Sequence, residues 1–304
     1  MARPILRPAR PIRLVLAAAA AAFLTVVAST AAAGPASTPL PPGSLALTLA
    51  EQGSAPAPPK AGGGSTDTPG SICYFGACYD YVAGRQYAWY ATGANVSLWR
   101  GRPKLDPAYP DSHSLQELAV QSVDGLQIVE IGWTVDRSLN GDDAPHLFVF
   151  HWVDGIPTCY NGCGFVQTST QIVPGMKLPS GGFSTFRIEH VGTRWELSLD
   201  GTMFGYFPDS LWDSAFSQPL LIQVFGEVAS IAETSTCNDM GTGAYADSPA
   251  SSAITGFTLL GPTPTPVDLA TALLVTTPEW YDANSVELDG FRLGGPGSGH
   301  CAPN

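Results

Sequence analysis

Apolar residues along most of this chain come in short runs broken by Gly, Pro, Asp and Asn, and they rarely keep the 3.6-residue spacing of a helix. Such runs predict strands at 126–135, 146–153, 183–190, 195–199, 220–230, 253–260 and 271–276. Asp200-Gly201 stands between the runs 195–199 and 203–207. A two-residue hairpin turn needs positive φ at both positions, and this dipeptide tolerates it. Two stretches, 114–122 and 210–216, read as short helices. Many antiparallel strands at close spacing predict an all-β sandwich or barrel. No repeat of fixed period is visible, which argues against a solenoid or propeller.

Within two of these strands the alternation isolates a carboxylate. In LQIVEIGWTV, one face carries Val129, Ile131, Trp133 and Val135, and the other carries Leu126, Ile128, Glu130, Gly132 and Thr134. In LLIQVFGEVAS, Glu227 shares a face with Leu221, Gln223, Phe225 and Ala229. A carboxylate among apolar neighbours loses hydration and holds its proton more tightly, and two such groups facing each other share a proton. One is then a base while the other remains an acid. Gly132 and Gly226, beside the glutamates, are expected to leave room for a substrate backbone. By themselves such glutamates are more often solvent-facing or salt-bridged strand residues.

The ends of the chain set its compartment. Arg3, Arg7, Arg10 and Arg13 precede an apolar run at 14–27 and a small-residue stretch ending in Ala31-Ala32-Ala33, the pattern of a secretory signal peptide over 1–33. The run is short for a membrane span, so a secreted protein is expected, with no membrane partner. Residues 34–70, rich in Pro, Ala, Gly and Ser, cannot bury enough apolar surface to fold and read as a flexible linker or short pro-segment. The catalytic domain is expected over 71–304. Whole-chain charge is −12, and the leader holds four of the 14 basic residues and none of the acids. The mature protein is therefore more acidic still, which makes nucleic acid and anionic membranes poor partners.

Six cysteines in an exported chain read as three disulfides. The close spacing of Cys73 with Cys78 and of Cys159 with Cys163 suits two local bridges, leaving Cys237 with Cys301. Zinc is the competing reading, disfavoured by export and by the lack of nearby histidines.

Several segments resemble a known family in collinear order. IVEIGWTVD is similar to an IEVGW-type strand, GDDAPHLFVFHWVDG to a GD…LF.YW.D segment, and CYNGCGFVQ to a GCYN…C.GF.Q stretch. RWELSLDGTMFGYFPDSLW, IQVFGEV, MGTGAYAD and the closing GGPGSGHCAPN resemble the WW…GY.LGYWP.LF, WGGEV, MGSG and GGPG…NC segments of the same family, the neprosin family of glutamic peptidases. The resemblance implies an antiparallel β-sandwich, jelly-roll-like, with a catalytic cleft on the concave sheet. It implies Glu130 and Glu227 as catalytic residues, no cofactor, activity at acid pH, and cleavage of peptide or protein substrates after proline; a monomer is expected. Val224 and Phe225 depart from the family's Trp and Gly, so the surface beside Glu227 is altered.

Other residues carry less. The five histidines show no H-E-x-x-H pattern, and no G-x-S-x-G is present. Asp142-Asp143 after Gly141 suits a turn more than a calcium site. Gln167 and Tyr206 are candidate oxyanion donors, and Trp133 neighbours Glu130. Two rival functions remain at this level: paired carboxylates on a sandwich also suit a glycoside hydrolase, and a non-catalytic lectin-like module needs no such pair.

Overall fold

A computed structural model describes residues 71–74, 77–212, 216–231, 236–269, 273–287, 289–299 and 301. The expected signal peptide and the 34–70 segment lie outside the described residues. Along the chain the strands are β1 (Ile72–Tyr74), β2 (Ala77–Tyr87), β3 (Gly93–Trp99), β4 (His113–Gln121), β5 (Ile128–Asp136), β6 (His146–Val153), β7 (Ile156–Pro157), β8 (Val166–Gln167) and β9 (Phe183–Val191). They continue with β10 (Arg194–Leu199), β11 (Thr202–Pro208), β12 (Leu221–Ser230), β13 (Ser252–Leu260), β14 (Thr265–Pro266), β15 (Leu273–Val275), β16 (Asp282–Glu287) and β17 (Gly290–Gly294). One helical turn, α1 (Arg137–Asn140), follows β5.

The strands form two antiparallel sheets. The first runs β1-β2-β12-β4-β5-β6-β7 with β15 beside β2, and the second runs β16-β17-β13-β3-β9-β10-β11-β8 with β14 beside β13. The main core lies between them. Val129, Ile131, Trp133, Ile222, Val224 and Val228 of the first sheet join Val96, Leu98, Phe186, Ile188, Trp195 and Leu197 of the second. At ~1.5–3 kcal/mol for each large apolar side chain removed from water, this layer supplies most of the driving force. The fold is therefore the all-β antiparallel sandwich that the strand pattern and the resemblance implied.

The first sheet carries a second apolar layer on its other face. Tyr79, Tyr81, Leu115, Ala119, Ile128, Phe148, Phe150, Trp152 and Phe225 form it. Every residue of β4, β5 and β12 is consequently buried, whereas β9 of the second sheet alternates buried with half-exposed positions.

That double burial overturns one expectation. The 114–122 stretch is not a helix but β4, hydrogen-bonded to β12 on one side and β5 on the other. Leu, Gln, Glu and Ala favour helix locally, but ladders on both edges and burial of both faces outweigh a preference of tenths of a kcal/mol per residue. The 210–216 helix reduces to a single 3-10 turn at Asp209–Leu211, with 213–215 outside the described residues. Other strands fall within a few positions of expectation, and Asp200 and Gly201 take φ of 48° and 79° in the β10–β11 hairpin.

Disulfides join Cys73 to Cys78, Cys159 to Cys163 and Cys237 to Cys301. The first lies across the β1–β2 ladder. Among the described residues no helix is long and apolar enough to cross a membrane.

Candidate active site

Strand register decides which polar groups meet on the face of the first sheet turned away from the second. Glu227 of β12 stands opposite Leu115 of β4 and Tyr81 of β2. Glu130 of β5 stands opposite Ala119 of β4 and Phe150 of β6. The two expected glutamates thus share a face but are two strands apart and offset along the sheet. Between them, on β4, lies Glu117, opposite Gly132 of β5 and Phe225 of β12. It is the diagonal neighbour of both, a step of ~7–8 Å. All three glutamates are fully buried.

Their partners differ. Glu227 Oε1 meets His113 Nε2 at 2.6 Å, and His113 too is fully buried. Asp136, which caps α1 by accepting from Leu139 N, stands opposite His113 in the β4–β5 register and bears on it electrostatically. Glu130 Oε1 accepts from Trp152 Nε1 at 3.1 Å, and its Oε2 has no hydrogen-bond partner among the described residues. Neither oxygen of Glu117 has one.

The electrostatics follow from these partners. Burial pushes Glu130 well above the usual carboxylate range; the Trp152 hydrogen bond opposes this, and the charge of Glu227 adds to it. Burial also pushes Glu117 well up, and the charges of Glu130 and then Glu227 push it further. The Tyr160 hydroxyl, on the loop closed by Cys159 and Cys163, is raised by burial and then by the charges of Asp136, Glu227 and Glu117. Tyr160 therefore remains a neutral phenol beside the acids, its ring held 5.0 Å from Phe150 and 5.6 Å from Phe148.

Several expected participants lie elsewhere. Gln167 and Tyr206 pair with each other's strands, β8 and β11, in the second sheet, and Gln167 donates to Ser169 O. Trp133 belongs to the core between the sheets, and the indole that reaches Glu130 is Trp152. The glycines have packing roles rather than making room for substrate. A Cβ on Gly132 would lie 2.1 Å from Gln116 O of β4, and one on Gly226 would lie 2.2 Å from Leu293 Cδ1. Val224 faces the core, whereas Phe225 lies on the acidic face, edge-on to Tyr81 at 5.7 Å. Asp142 pairs with Lys177 at 2.6 Å and His146 at 3.1 Å. Among the described residues no group of three or more His, Cys, Asp or Glu is arranged to hold a metal ion.

The residues unforeseen from sequence are Glu117, His113, Trp152 and Tyr160. For the first two the signal was present in HSLQELAV: read as a strand, it puts His113, Leu115, Glu117 and Ala119 on one face.

Among solved structures, scytalido-glutamic peptidase with a peptide-based transition-state analogue is similar over 70% of this chain and 97% of that one, at 12% identity and a TM-score of 0.42. SCP-B, a member of the Eqolisin family of peptidases, is similar over 70% and 96%, at 12% identity and a TM-score of 0.40. A Bacillus licheniformis β-glucanase is similar over 55% and 77%, at 12% identity and a TM-score of 0.31. The neprosin family model matches residues 110–296, more than half of the sequence and the segment that contains all three glutamates. The chain is thus a member of the neprosin family of peptidases.

Proposed function

We propose that the chain is a glutamic endopeptidase in which Glu227 is the general base and Glu130 the general acid. One observation carries the assignment: the two carboxyls have unequal partners. Glu227 is oriented by an imidazole nitrogen at 2.6 Å, whereas Glu130 accepts from the neutral Trp152 indole in a dry setting that strengthens its hold on a proton. Glu227 then takes a proton from water, the water oxygen attacks the scissile carbonyl carbon, and Glu130 passes its proton to the leaving nitrogen. No cofactor enters the reaction.

The preference for proline and the acid pH range belong to the same proposal. Phe225, Tyr81 and Trp152 supply flat apolar surface beside the acids, suited to a pyrrolidine ring. The working state, one carboxylate and one neutral acid, exists only between the macroscopic pKa values of the cluster, so activity follows a bell on the acid side of neutrality. The test is incubation of wild type, Glu130→Gln and Glu227→Gln with a proline-containing peptide and with a polysaccharide at acid pH. Mass spectrometry identifies the products. Peptide cleavage by wild type and its loss in both folded variants is the expected result. Polysaccharide cleavage, or near-normal peptide cleavage by either variant, would overturn the assignment.

A further inference from the structure

We propose that Glu117 donates the hydrogen bond that holds the substrate's carbonyl oxygen as it becomes an oxyanion, which makes it a third catalytic carboxyl. The inference rests on the peptidase reading above and goes beyond it in adding a residue and a role.

The argument begins with the geometry of the reaction. In peptide hydrolysis the carbonyl carbon bears three reacting atoms: the incoming water oxygen, the leaving nitrogen and the carbonyl oxygen. If base and acid serve the first two, a donor for the third belongs between them. Register puts Glu117 in that position, diagonal to Glu227 on one side and to Glu130 on the other.

Its surroundings leave it free for the task. Gly132, opposite Glu117 on β5, has no side chain to crowd it: a Cβ there would lie 2.8 Å from Glu117 Cβ. The groups facing Glu117 are Glu130 from β5, Glu227 from β12 and the Tyr160 phenol from the disulfide loop. β2 adds Tyr81 opposite Glu227 and, farther along, Arg85 opposite Gln223. On β4 itself, His113 is engaged by Glu227.

Three carboxyls in one dry patch cannot all ionise cheaply. Glu227 has an imidazole and Glu130 an indole N–H, while Glu117 has no donor among the described residues. Burial and the charges of Glu130 and Glu227 therefore make Glu117 hold its proton well above the usual carboxylate range. A protonated carboxyl carries an O–H donor, and here that donor has no partner among the described residues. A neutral carboxyl held in this way serves an oxyanion.

The step balances without proton transfer from Glu117. Water gives its proton to Glu227 while its oxygen bonds to the carbonyl carbon, and the C=O π pair moves onto the oxygen that Glu117 holds. The pair then returns, the C–N bond breaks, and the proton of Glu130 goes to nitrogen.

The experiment compares kcat and KM on a cleaved peptide for wild type, Glu117→Gln, Glu117→Leu, Glu117→Met and Glu130→Gln, with circular dichroism to confirm folding. Gln carries an N–H donor at the same reach, so kcat should stay within about tenfold of wild type. Leu and Met have no donor and should lose ~10²–10³ in kcat with little change in KM, the usual effect of removing one oxyanion donor. A folded Leu or Met variant with wild-type kcat overturns the proposal, as does a Gln variant as inactive as Glu130→Gln, which would mean that Glu117 transfers a proton.

A second readout needs no catalysis. Folded Glu117 keeps its proton above the ordinary value of 4.5, where the unfolded chain releases it. Its contribution to stability is fully present below that value and is lost as pH rises through the folded pKa. The Tm of Glu117→Gln should therefore gain on wild type as pH rises from ~4 toward 7. A gap independent of pH would rule out the neutral buried carboxyl. Failure of wild type to cleave any peptide would instead sink the peptidase reading, leaving the Tm comparison to judge Glu117.

Discussion

His113 is the residue that makes the two proposed catalytic glutamates unequal. Buried with Glu227 and opposite Asp136, it places an imidazole at one end of a line of three acids. Replacing it with Phe keeps the ring bulk and removes the nitrogen that meets Glu227 Oε1, so the Glu227 carboxyl loses the partner that orients it. The expected outcome is kcat/KM lowered by about tenfold or more, the worth of one hydrogen bond to a charged group at ~1.5–3 kcal/mol. Steady-state kinetics of folded His113→Phe measure this directly, and a wild-type kcat/KM would remove His113 from the working of the base. Glu130 and Glu227 were legible in the sequence because each sits in a strand with clean alternation and in a segment resembling a known motif. Glu117 and His113 were not, because their strand has no polar face. Its Ser114, Gln116 and Gln121 are buried as thoroughly as its Leu115 and Leu118, and a run of mixed polar and apolar residues at short spacing mimics an amphipathic helix.

At the scale of elements, the site depends on how closely β4 and β5 approach. Gly132 packs directly on the β4 backbone: an added Cβ would lie 2.1 Å from Gln116 O and 2.8 Å from Glu117 Cα. Backbone atoms in a central ladder cannot give way singly. Gly132→Ala should therefore cost ~3 kcal/mol or more and spread the strands that align Glu117 with Glu130. Gly226 faces the flexible tips of Leu293 and Met240 instead. Gly226→Ala should cost ~1–2 kcal/mol, because side chains can re-orient. Urea midpoints of the two variants decide between these: equal costs would mean that the β4–β5 approach is not the tight point of the sheet. The glycines were conspicuous in the sequence beside both glutamates, but whether each served a substrate or a packing neighbour depended on strands distant in the chain.

For the whole molecule, the three disulfides act over very different lengths. Cys73–Cys78 and Cys159–Cys163 close separations of 5 and 4 residues, whereas Cys237–Cys301 spans 64. In the chain-entropy account the long tie should contribute ~4 kcal/mol and each short one ~2 kcal/mol. Double Ser replacement of each pair, followed by urea denaturation, should rank Cys237/Cys301 as the costliest; the opposite ranking would show that native-state contacts, not loop entropy, dominate. The sequence by itself determined the strand-rich fold, the faces of β5 and β12, the hairpin at Asp200-Gly201 and the family, because alternation, turn chemistry and motif order are local properties of the chain. Only the tertiary structure decided that β4 is a strand, that Glu117 stands between Glu130 and Glu227, and that His113 belongs to one of them. Those facts depend on which strands become neighbours and in what register, and that is set by burying two faces of one sheet at once rather than by any segment alone.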